Sequence, residues 1–428
     1  MSALQSAVFW LILLFSFCDA APLLNEATDL KLDPNSRLIE GDILLTPEQY
    51  ETFFGKTKKA TSSRHKRQLF RGVGMWPDNT VPYSFDNSVP TEKRVLARKA
   101  MDEMTASTCL TYIEDDTATD RIEFTMSSIC ASYIGRVGNA QKMFIGGCWV
   151  VPDIVHELFH ALGVMHTHSR SDRDIYLKVN TSLFSEGDEV NYEIYPSQFT
   201  YNVIPFEYGS LMLYYARDVC WPRDESFVST MGTNFGGFYD FKAIHELYQC
   251  SCPTEIECLH GGYMNTQTCD RCVCPPGYGG KQCETAPEEF SRKLTATLEW
   301  QTHSIRFGFD GFSEKVYKRA TMFIEAPADK RIQVEVTQME GFSCYTPCLW
   351  NGFEVKEVGD PRRTNRFLCC NSGDGWNYNY TSKLNPTPVI LYSLEKRLTF
   401  GMRYRYIDAS ISALPTTNNT YDDFRYPA

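Results

Sequence analysis

The sequence of 428 residues has no excess of positive charge. Lysine and arginine together number 42 against 53 aspartates and glutamates, which gives a net charge of -11 and a pI near 5.3. A surface of this sign offers no basic patch to a polyanion, so we expect no nucleic-acid partner. The charge carries no information about the fold.

Long Gly/Ser tracts, blocks of like charge and internal repeats are also missing, so the composition does not indicate disorder. Apolar runs are scarce: the one long run covers Ser2 to Phe17, short for a membrane-spanning helix of ~20 residues. Because Cys18 and Ala20 are small residues at the -3 and -1 positions of a signal-peptidase site, residues 1–20 are predicted to be a signal peptide. The alternative is an uncleaved anchor. We expect a secreted, extracellular protein without a membrane span.

Cysteine is abundant, in contrast to these absences. Of the 16 cysteines, 15 remain after Cys18 leaves with the signal, and their clustering is typical of a disulfide framework in an oxidising compartment. Three Asn-x-Ser/Thr triplets are available for glycan, at Asn180, Asn379 and Asn418.

Residues 21–67 are polar and lack cysteine, and they end in Arg64-His65-Lys66-Arg67. Furin-like convertases cut such basic runs, so we predict a pro-segment removed after Arg67 and a furin-like activating protease as a partner. A solvated loop and a nuclear signal are the alternatives, and the signal peptide argues against the second.

The remaining chain divides by composition. Strand-like and helix-like runs alternate in residues 68–251, for example at 81–85 and 92–104, which predicts a mixed domain. Residues 252–284 concentrate six cysteines, and residues 286–413 alternate aromatic, β-branched and polar residues as in an all-β domain. Residues 414–428 are predicted to form a loose tail.

The motif with the clearest chemistry is His156-Glu157-Leu158-Phe159-His160. On a helix, residues four apart share one face, so the imidazoles of His156 and His160 can converge on one metal ion. Zinc accepts such a pair, and the Glu157 carboxylate is placed to act as general base towards water at the metal. A lone motif of this kind also arises by chance, with histidines that have no metal.

The continuation Ala161-Leu162-Gly163-Val164-Met165-His166 makes the interpretation specific. Gly163 can end the helix in a left-handed turn, so that His166 returns as a third ligand. Three ligands with an open position describe a catalytic zinc site, and the extended form is the metzincin signature.

Two further runs resemble the astacin family of metzincins: Ser169-Arg170-Ser171-Asp172-Arg173-Asp174 and Tyr208-Gly209-Ser210-Leu211-Met212-Leu213-Tyr214. The resemblance implies an α+β zincin fold, in which a twisted sheet accompanies the active-site helix. It also implies that Met212 lies beneath the zinc and that Tyr214 is a movable fifth ligand, which turns away to stabilise the transition-state charge.

The likeness extends to the pro-segment, where Ile39-Glu40-Gly41-Asp42 resembles the family motif Phe-x-Gly-Asp with its first position changed. By that resemblance Asp42 binds the zinc of the zymogen in place of water. Without the family, Gly41-Asp42 would simply indicate a turn. The family pattern also implies the disulfides Cys109–Cys250 and Cys130–Cys148.

The six clustered cysteines resemble an EGF module and residues 286–413 resemble, more loosely, a CUB sandwich, an order similar to that of nematode astacins. The six cysteines allow fifteen pairings from sequence alone, and the family order implies Cys252–Cys269, Cys258–Cys272 and Cys274–Cys283. A zinc knuckle is the alternative, but a second spaced cysteine pair is missing. Calcium binding has no acidic cluster to support it.

Some positions depart from the family pattern. Thr167 replaces the Glu that helps anchor the mature N-terminus, Leu213 replaces a common His, and Val164 replaces a Phe. None is a zinc ligand, so we expect activity to survive. The odd cysteine count leaves one thiol that is free or bonded to another chain. Cys220 is the candidate, because the resemblance to a CUB module implies that the other four can pair internally: Cys344, Cys348, Cys369 and Cys370. Four histidines lack ligand spacing: His168, His245, His260 and His303.

Together these features predict a secreted zinc endopeptidase, made as a zymogen, that cleaves extracellular proteins such as matrix or cuticle components. One alternative is a non-catalytic extracellular binding protein with a relic protease domain. Another is a protease whose CUB module selects the substrate.

Overall fold

A computed structural model describes residues 36–55, 73–195, 202, 204–309, 316–370 and 378–409. The expected signal peptide, the processing site Arg67, the sequon at Asn418 and the tail lie outside the described residues. None of the helices in the described ranges is both long and apolar enough to cross a bilayer.

The helices and strands follow in chain order. The α-helices are α1 (Pro47–Phe54), α2 (Thr91–Ser107), α3 (Val151–Ala161) and α4 (Phe238–Leu247). The strands before residue 280 are β1 (Arg37–Ile39), β2 (Ile43–Leu45), β3 (Thr80–Phe85), β4 (Thr111–Glu114), β5 (Arg121–Thr125), β6 (Cys130–Tyr133), β7 (Ala140–Ile145), β8 (Leu177–Val179), β9 (Cys220–Pro222), β10 (Tyr263–Met264) and β11 (Cys272–Val273). The later strands are β12 (Ser291–Thr295), β13 (Gln301–Phe307), β14 (Lys318–Glu325), β15 (Lys330–Glu340), β16 (Asn351–Val355), β17 (Phe367–Leu368), β18 (Asn379–Thr381), β19 (Thr387–Ser393) and β20 (Leu398–Asp408).

One twisted sheet carries the N-terminal half of the molecule, in the order β1-β2-β6-β7-β5-β3-β4. Strands β7, β5, β3 and β4 run parallel, and β6 is antiparallel to β7. The hairpin β1–β2, from the expected pro-segment, extends the sheet next to β6, with β2 parallel to β6. Ile43 and Leu44 are fully buried, so this hairpin is an integral part of the sheet.

Helices α2 and α3 pack against the sheet and each other over one hydrophobic core. Along α2, Leu96, Ala97, Ala100 and Met104 are buried at the spacing of one helical face. Helix α2 extends slightly beyond the predicted 92–104 at both ends.

Helix α3 carries the two predicted metal ligands His156 and His160, and the structure shows what defines both of its ends. At its start the Asp153 carboxylate accepts hydrogen bonds from the backbone N–H groups of Trp149 (2.6 Å) and Val150 (3.0 Å), which satisfies donors that a helix start leaves unpaired. It ends at Ala161, and Gly163 has φ of +102°, the left-handed turn that the sequence predicts.

The C-terminal part is a β-sandwich. A five-stranded sheet (β12-β14-β19-β16-β17) faces a four-stranded sheet (β13-β20-β15-β18), with Phe353, Met322 and Phe400 in the shared core. Between the catalytic part and the sandwich lies a small unit with one two-stranded sheet, β10–β11, and three disulfides.

Seven disulfides join 14 cysteines: Cys109–Cys250, Cys130–Cys148, Cys252–Cys269, Cys258–Cys272, Cys274–Cys283, Cys344–Cys370 and Cys348–Cys369. The first five are the pairs that the resemblance implies. Cys220 is the one free cysteine of the described residues, and it is buried.

Candidate metal centre

Three histidine nitrogens meet at one point beside the sheet. His156 and His160 project from the same face of α3, and the chain returns past Gly163 to bring His166 beside them, with 3.1 Å between Nε2 of His156 and Nε2 of His166. His160 and His166 are almost completely buried, so the group is screened from water.

The second ring nitrogen of each histidine is held by a hydrogen bond. Nδ1 of His156 lies 3.0 Å from the carbonyl of Leu211, Nδ1 of His160 lies 2.8 Å from the carbonyl of Val164, and Nδ1 of His166 lies 2.6 Å from Oε2 of Glu40. Because carbonyl and carboxylate oxygens only accept, each Nδ1 must donate. Nε2 of each ring is therefore the free nitrogen that can bind a metal.

Asp42, in the loop of the β1–β2 hairpin, completes the cluster. Its Oδ2 lies 3.3 Å from Nε2 of His156 and 3.4 Å from Nε2 of His166, and its Oδ1 lies 3.7 Å from Nε2 of His160. Burial alone raises the pKa of this carboxyl, but the electrostatic attraction of the neighbouring histidines, that of His166 first, outweighs burial and holds the pKa well below its usual value. Asp42 is therefore an anion facing the histidines.

These four residues fit a zinc ion. Oδ1 of Asp42 and Nε2 of His160 are buried and without a hydrogen-bond partner, although burial of unpaired polar atoms is unfavourable. Their potential ligand atoms all lie within 4.8 Å of one another. A tetrahedral zinc with bonds of ~2.0–2.1 Å separates its ligands by roughly 3.4 Å, close to the 3.1 to 3.7 Å found here.

Glu157 lies one residue after the first histidine and is fully buried, and both of its carboxylate oxygens lack a hydrogen-bond partner. Burial raises the pKa of Glu157 well above its usual value, and the neighbouring charges of Asp42 and Asp153 raise it further. A raised pKa makes the Glu157 carboxylate a stronger base, which suits it to take a proton from water and pass it on.

Met212 and Tyr214 lie on residues 206–214, here called the Met-turn segment. Met212 is buried in the main core, and its carbonyl accepts from the N–H of Thr167 at 2.7 Å. The Tyr214 ring lies 4.9 Å from that of His166, centroid to centroid, and its hydroxyl donates to the carbonyl of Glu40. The tyrosine hydroxyl is thus engaged by the β1–β2 hairpin.

Glu40 is the residue whose role the sequence did not reveal. It is 1% exposed, and besides His166 it accepts hydrogen bonds from Ser169 Oγ (2.8 Å) and Tyr195 OH (2.7 Å). Burial raises the pKa of Glu40, but the hydrogen bond with His166, together with the electrostatic attraction of the two neighbouring histidines and the Tyr195 hydroxyl, lowers it overall. The only sequence signal was an acidic residue inside the run that contains Asp42.

His168 also belongs to the surroundings of the site. Its ring stacks on Tyr214 at 3.7 Å between centroids, and Nε2 lies 2.9 Å from the carbonyl of Asn191. Burial lowers the pKa of His168 to about 3, so the ring is neutral. The sequence identified it only as an ordinary histidine without ligand spacing.

The departures from the family pattern lie around this centre. Thr167 is buried, with its hydroxyl 3.0 Å from that of Ser210, and Val164 supplies the carbonyl beside His160. Leu213 is buried in a separate cluster with Cys220. The sequons at Asn180 and Asn379 are both exposed.

Comparison with known proteins agrees with the site. Residues 70–249 match the peptidase family Astacin. Zinc metalloproteinase nas-17 of Caenorhabditis elegans is 38% identical over 396 residues, which cover 91% of this chain and 91% of that protein. The chain belongs to the astacin family.

Other matches are of the same kind. Zinc metalloproteinase nas-16 of the same nematode is 39% identical over 346 residues, covering 79% of this astacin and 76% of that protein. The solved structure of high choriolytic enzyme 1, a hatching enzyme zinc-protease from the medaka Oryzias latipes, covers 41% of this astacin and 94% of its own chain at 28% identity and a TM-score of 0.38. This astacin is thus a zinc metalloendopeptidase, which hydrolyses peptide bonds, and the comparisons do not support the alternative of a non-catalytic binding protein.

Proposed function

We propose that this astacin is made as a secreted precursor in which Asp42 blocks the zinc site, and that it cleaves extracellular proteins once the pro-segment is cut after Arg67. The observation that supports latency is the position of the Asp42 carboxylate, 3.3 to 3.7 Å from the Nε2 atoms of all three histidines. A carboxylate in that position fills the place that a substrate carbonyl or water needs.

In the proposed mechanism His156, His160 and His166 hold the zinc through Nε2. When bound, zinc supplies Lewis-acid chemistry, which eases activation of both a water and a peptide carbonyl. Glu157 takes the proton from the attacking water and returns it to the leaving amine. Tyr214, once its hydroxyl is free of the Glu40 carbonyl, donates to the oxygen that becomes negative in the transition state.

Release of the pro-segment also frees a binding edge for substrate. In the precursor β2 pairs with β6 through Ile43 opposite Ser132 and Leu44 opposite Tyr133. Without β2, strand β6 is an unpaired sheet edge, which can bind an extended polypeptide by strand addition. This arrangement favours proteins and peptides in extended form as substrates; matrix or cuticle proteins are the candidates.

We further propose that residues 252–284 form an EGF-like module and that residues 286–413 contain a CUB-like sandwich. The disulfides Cys252–Cys269, Cys258–Cys272 and Cys274–Cys283 support the first assignment. The two facing sheets support the second. Seven disulfides and exposed sequons are compatible with an extracellular protein that carries glycan at Asn180 and Asn379.

The test uses the full-length secreted protein before and after cutting at Arg67. We expect one zinc per chain in both forms, and peptidase activity only after the cut. Asp42→Ala should make the uncut precursor active, whereas Glu51→Ala, an exposed acidic residue of the pro-segment helix α1, should leave it silent. An uncut Asp42→Ala protein as silent as wild type would contradict the assignment of Asp42.

A further inference from the structure

The C-terminal sandwich touches the peptidase domain beside the zinc site. Its β16–β17 loop, residues 356–366, packs on the Met-turn segment. A Cβ atom placed on Gly209 would lie 2.3 Å from Cγ2 of Thr364, far inside van der Waals contact. Because Gly209 has no side chain, Thr364 of the sandwich can pack directly against the backbone of the peptidase domain at this position.

Hydrogen bonds reinforce this contact. The N–H of Thr364 donates to Oε2 of Glu207 at 3.3 Å, and Nη1 of Arg363 donates to the carbonyl of Phe206 at 2.7 Å. Nearby, the N–H of Phe367 donates to Oγ1 of Thr230 at 2.7 Å. Glu207, Thr230 and Thr364 are all buried, so these polar groups of the contact are shielded from water.

Buried polar contacts brace the β16–β17 loop. Nζ of Lys356 is completely buried, lies 2.8 Å from Oε1 of Glu354 and donates to the carbonyl of Arg363 at 2.6 Å. Asn365 accepts from the N–H groups of Glu357 and Val358. Because the Lys356–Glu354 ion pair and the Asn365 amide hold the loop in place, we expect the loop to hold in place the segment that it contacts.

From Gly209, a short route leads to the zinc ligands. The next residue, Ser210, donates its hydroxyl to Oδ1 of Asp240 at 2.6 Å, and the N–H of Leu211 donates to Oδ2 of the same carboxylate at 2.9 Å. The carbonyl of Leu211 is the acceptor for Nδ1 of His156 at 3.0 Å. The residue against the sandwich and the residue that orients His156 are thus two positions apart.

We propose that the β16–β17 loop is a positioning element of the catalytic site: through Thr364 and Arg363 it holds the Met-turn segment in place, and the Met-turn segment holds His156. The sandwich then acts on the chemical step with every substrate, including peptides too short to reach it. A module that only recruits substrate would instead change KM for large proteins and leave short peptides unaffected.

The experiment is a pair of complementary substitutions in the full-length, cut enzyme, assayed on a short quenched fluorescent peptide. Gly209→Ala introduces the methyl group that collides with Thr364 and should lower kcat about tenfold with little change in KM. Thr364→Gly alone should lower kcat only about two- to threefold, because its backbone N–H still bonds Glu207. Adding it to Gly209→Ala removes the collision and should restore kcat to within about twofold of Thr364→Gly alone. The visible spectrum of the cobalt-substituted enzyme should change in Gly209→Ala and return in the double variant.

Arg363→Ala provides a second measurement in case Gly209→Ala does not fold. It should lower kcat on the same peptide several-fold while thermal stability stays close to that of wild type. Arg405→Ala, on the far sheet of the sandwich where the guanidinium lies over the Trp300 ring, is the control and should have no effect. Unchanged kcat in Arg363→Ala, or a double variant as slow as Gly209→Ala, would overturn the proposal.

Discussion

Oε2 of Glu40 lies 2.6 Å from Nδ1 of His166, and both side chains are buried. The hairpin loop between β1 and β2 consists of Glu40, Gly41 and Asp42, and its first two residues have left-handed φ angles of 50° and 83°. This sharp turn directs two carboxylates to the same histidine, one to each ring nitrogen. The β1–β2 hairpin therefore contacts the metal centre both at the ligand atoms and behind them.

Glu40→Ala should make the precursor leaky. The change removes hydrogen bonds to His166, Ser169 and Tyr195, and hydrogen bonds to charged groups contribute ~1.5–3 kcal/mol each. Activity of the uncut protein on a short peptide should rise at least about 10- to 100-fold, the equivalent of losing one of these hydrogen bonds. After cutting at Arg67, the variant and wild-type enzymes should be equally active because Glu40 leaves with the pro-segment. If the uncut wild-type and Glu40→Ala proteins were equally inactive, Glu40 would have no role in latency.

Glu157→Gln should abolish hydrolysis without releasing zinc. Gln has the same shape but cannot take a proton, and loss of a general base lowers rates about 10²- to 10⁴-fold. We expect kcat of the cut enzyme to fall by this factor while zinc content, measured by elemental mass spectrometry, stays at one per chain. Glu246→Gln, on the exposed side of α4, serves as the matched control. Substantial activity in Glu157→Gln would assign the base elsewhere.

Asp240→Ala should destabilise the Met-turn segment. The buried carboxylate accepts from Ser210, Leu211 and Gly237, and its removal leaves three buried donors unpaired. We expect the free energy of unfolding in urea to fall by about 2–4 kcal/mol. Asp102→Ala, an exposed residue of α2, should stay within about 0.5 kcal/mol of wild type. A similar stability of both variants would show that the Asp240 hydrogen bonds contribute little.

The Cys220 thiol should be unreactive in the native protein. It is 1% exposed, and burial raises its pKa to about 12, so at a pH of about 8 almost no thiolate is present to attack an alkylating reagent. Iodoacetamide should label the native enzyme negligibly at that pH, and the unfolded, unreduced enzyme once, as seen by intact mass. Cys220→Ser should remain unlabelled in both states. Rapid labelling of the native enzyme would mean that this thiol is accessible.

The sequence contains enough local information to place the metal ligands. Residues four apart on a helix share a face whatever the surrounding fold, and Gly163 allows the return of His166 because only glycine adopts φ near +102° without strain. Helix α2 was predictable for the same reason, since its apolar residues repeat at helical spacing. Such features depend on neighbours in the chain, and short-range geometry fixes them.

Contacts between distant segments were decided only by the tertiary structure. Glu40 and His166 are 126 positions apart, and Thr364 meets Gly209 from a different domain. No periodicity or spacing connects such residues, because the packing of sheets and modules sets which surfaces face each other. The sequence by itself thus determined the metal and which three histidines converge, and it predicts Glu157 as the general base. The fold alone determined what lies behind those ligands: the Glu40 carboxylate, the His168 ring on Tyr214, and the sandwich loop against the Met-turn segment.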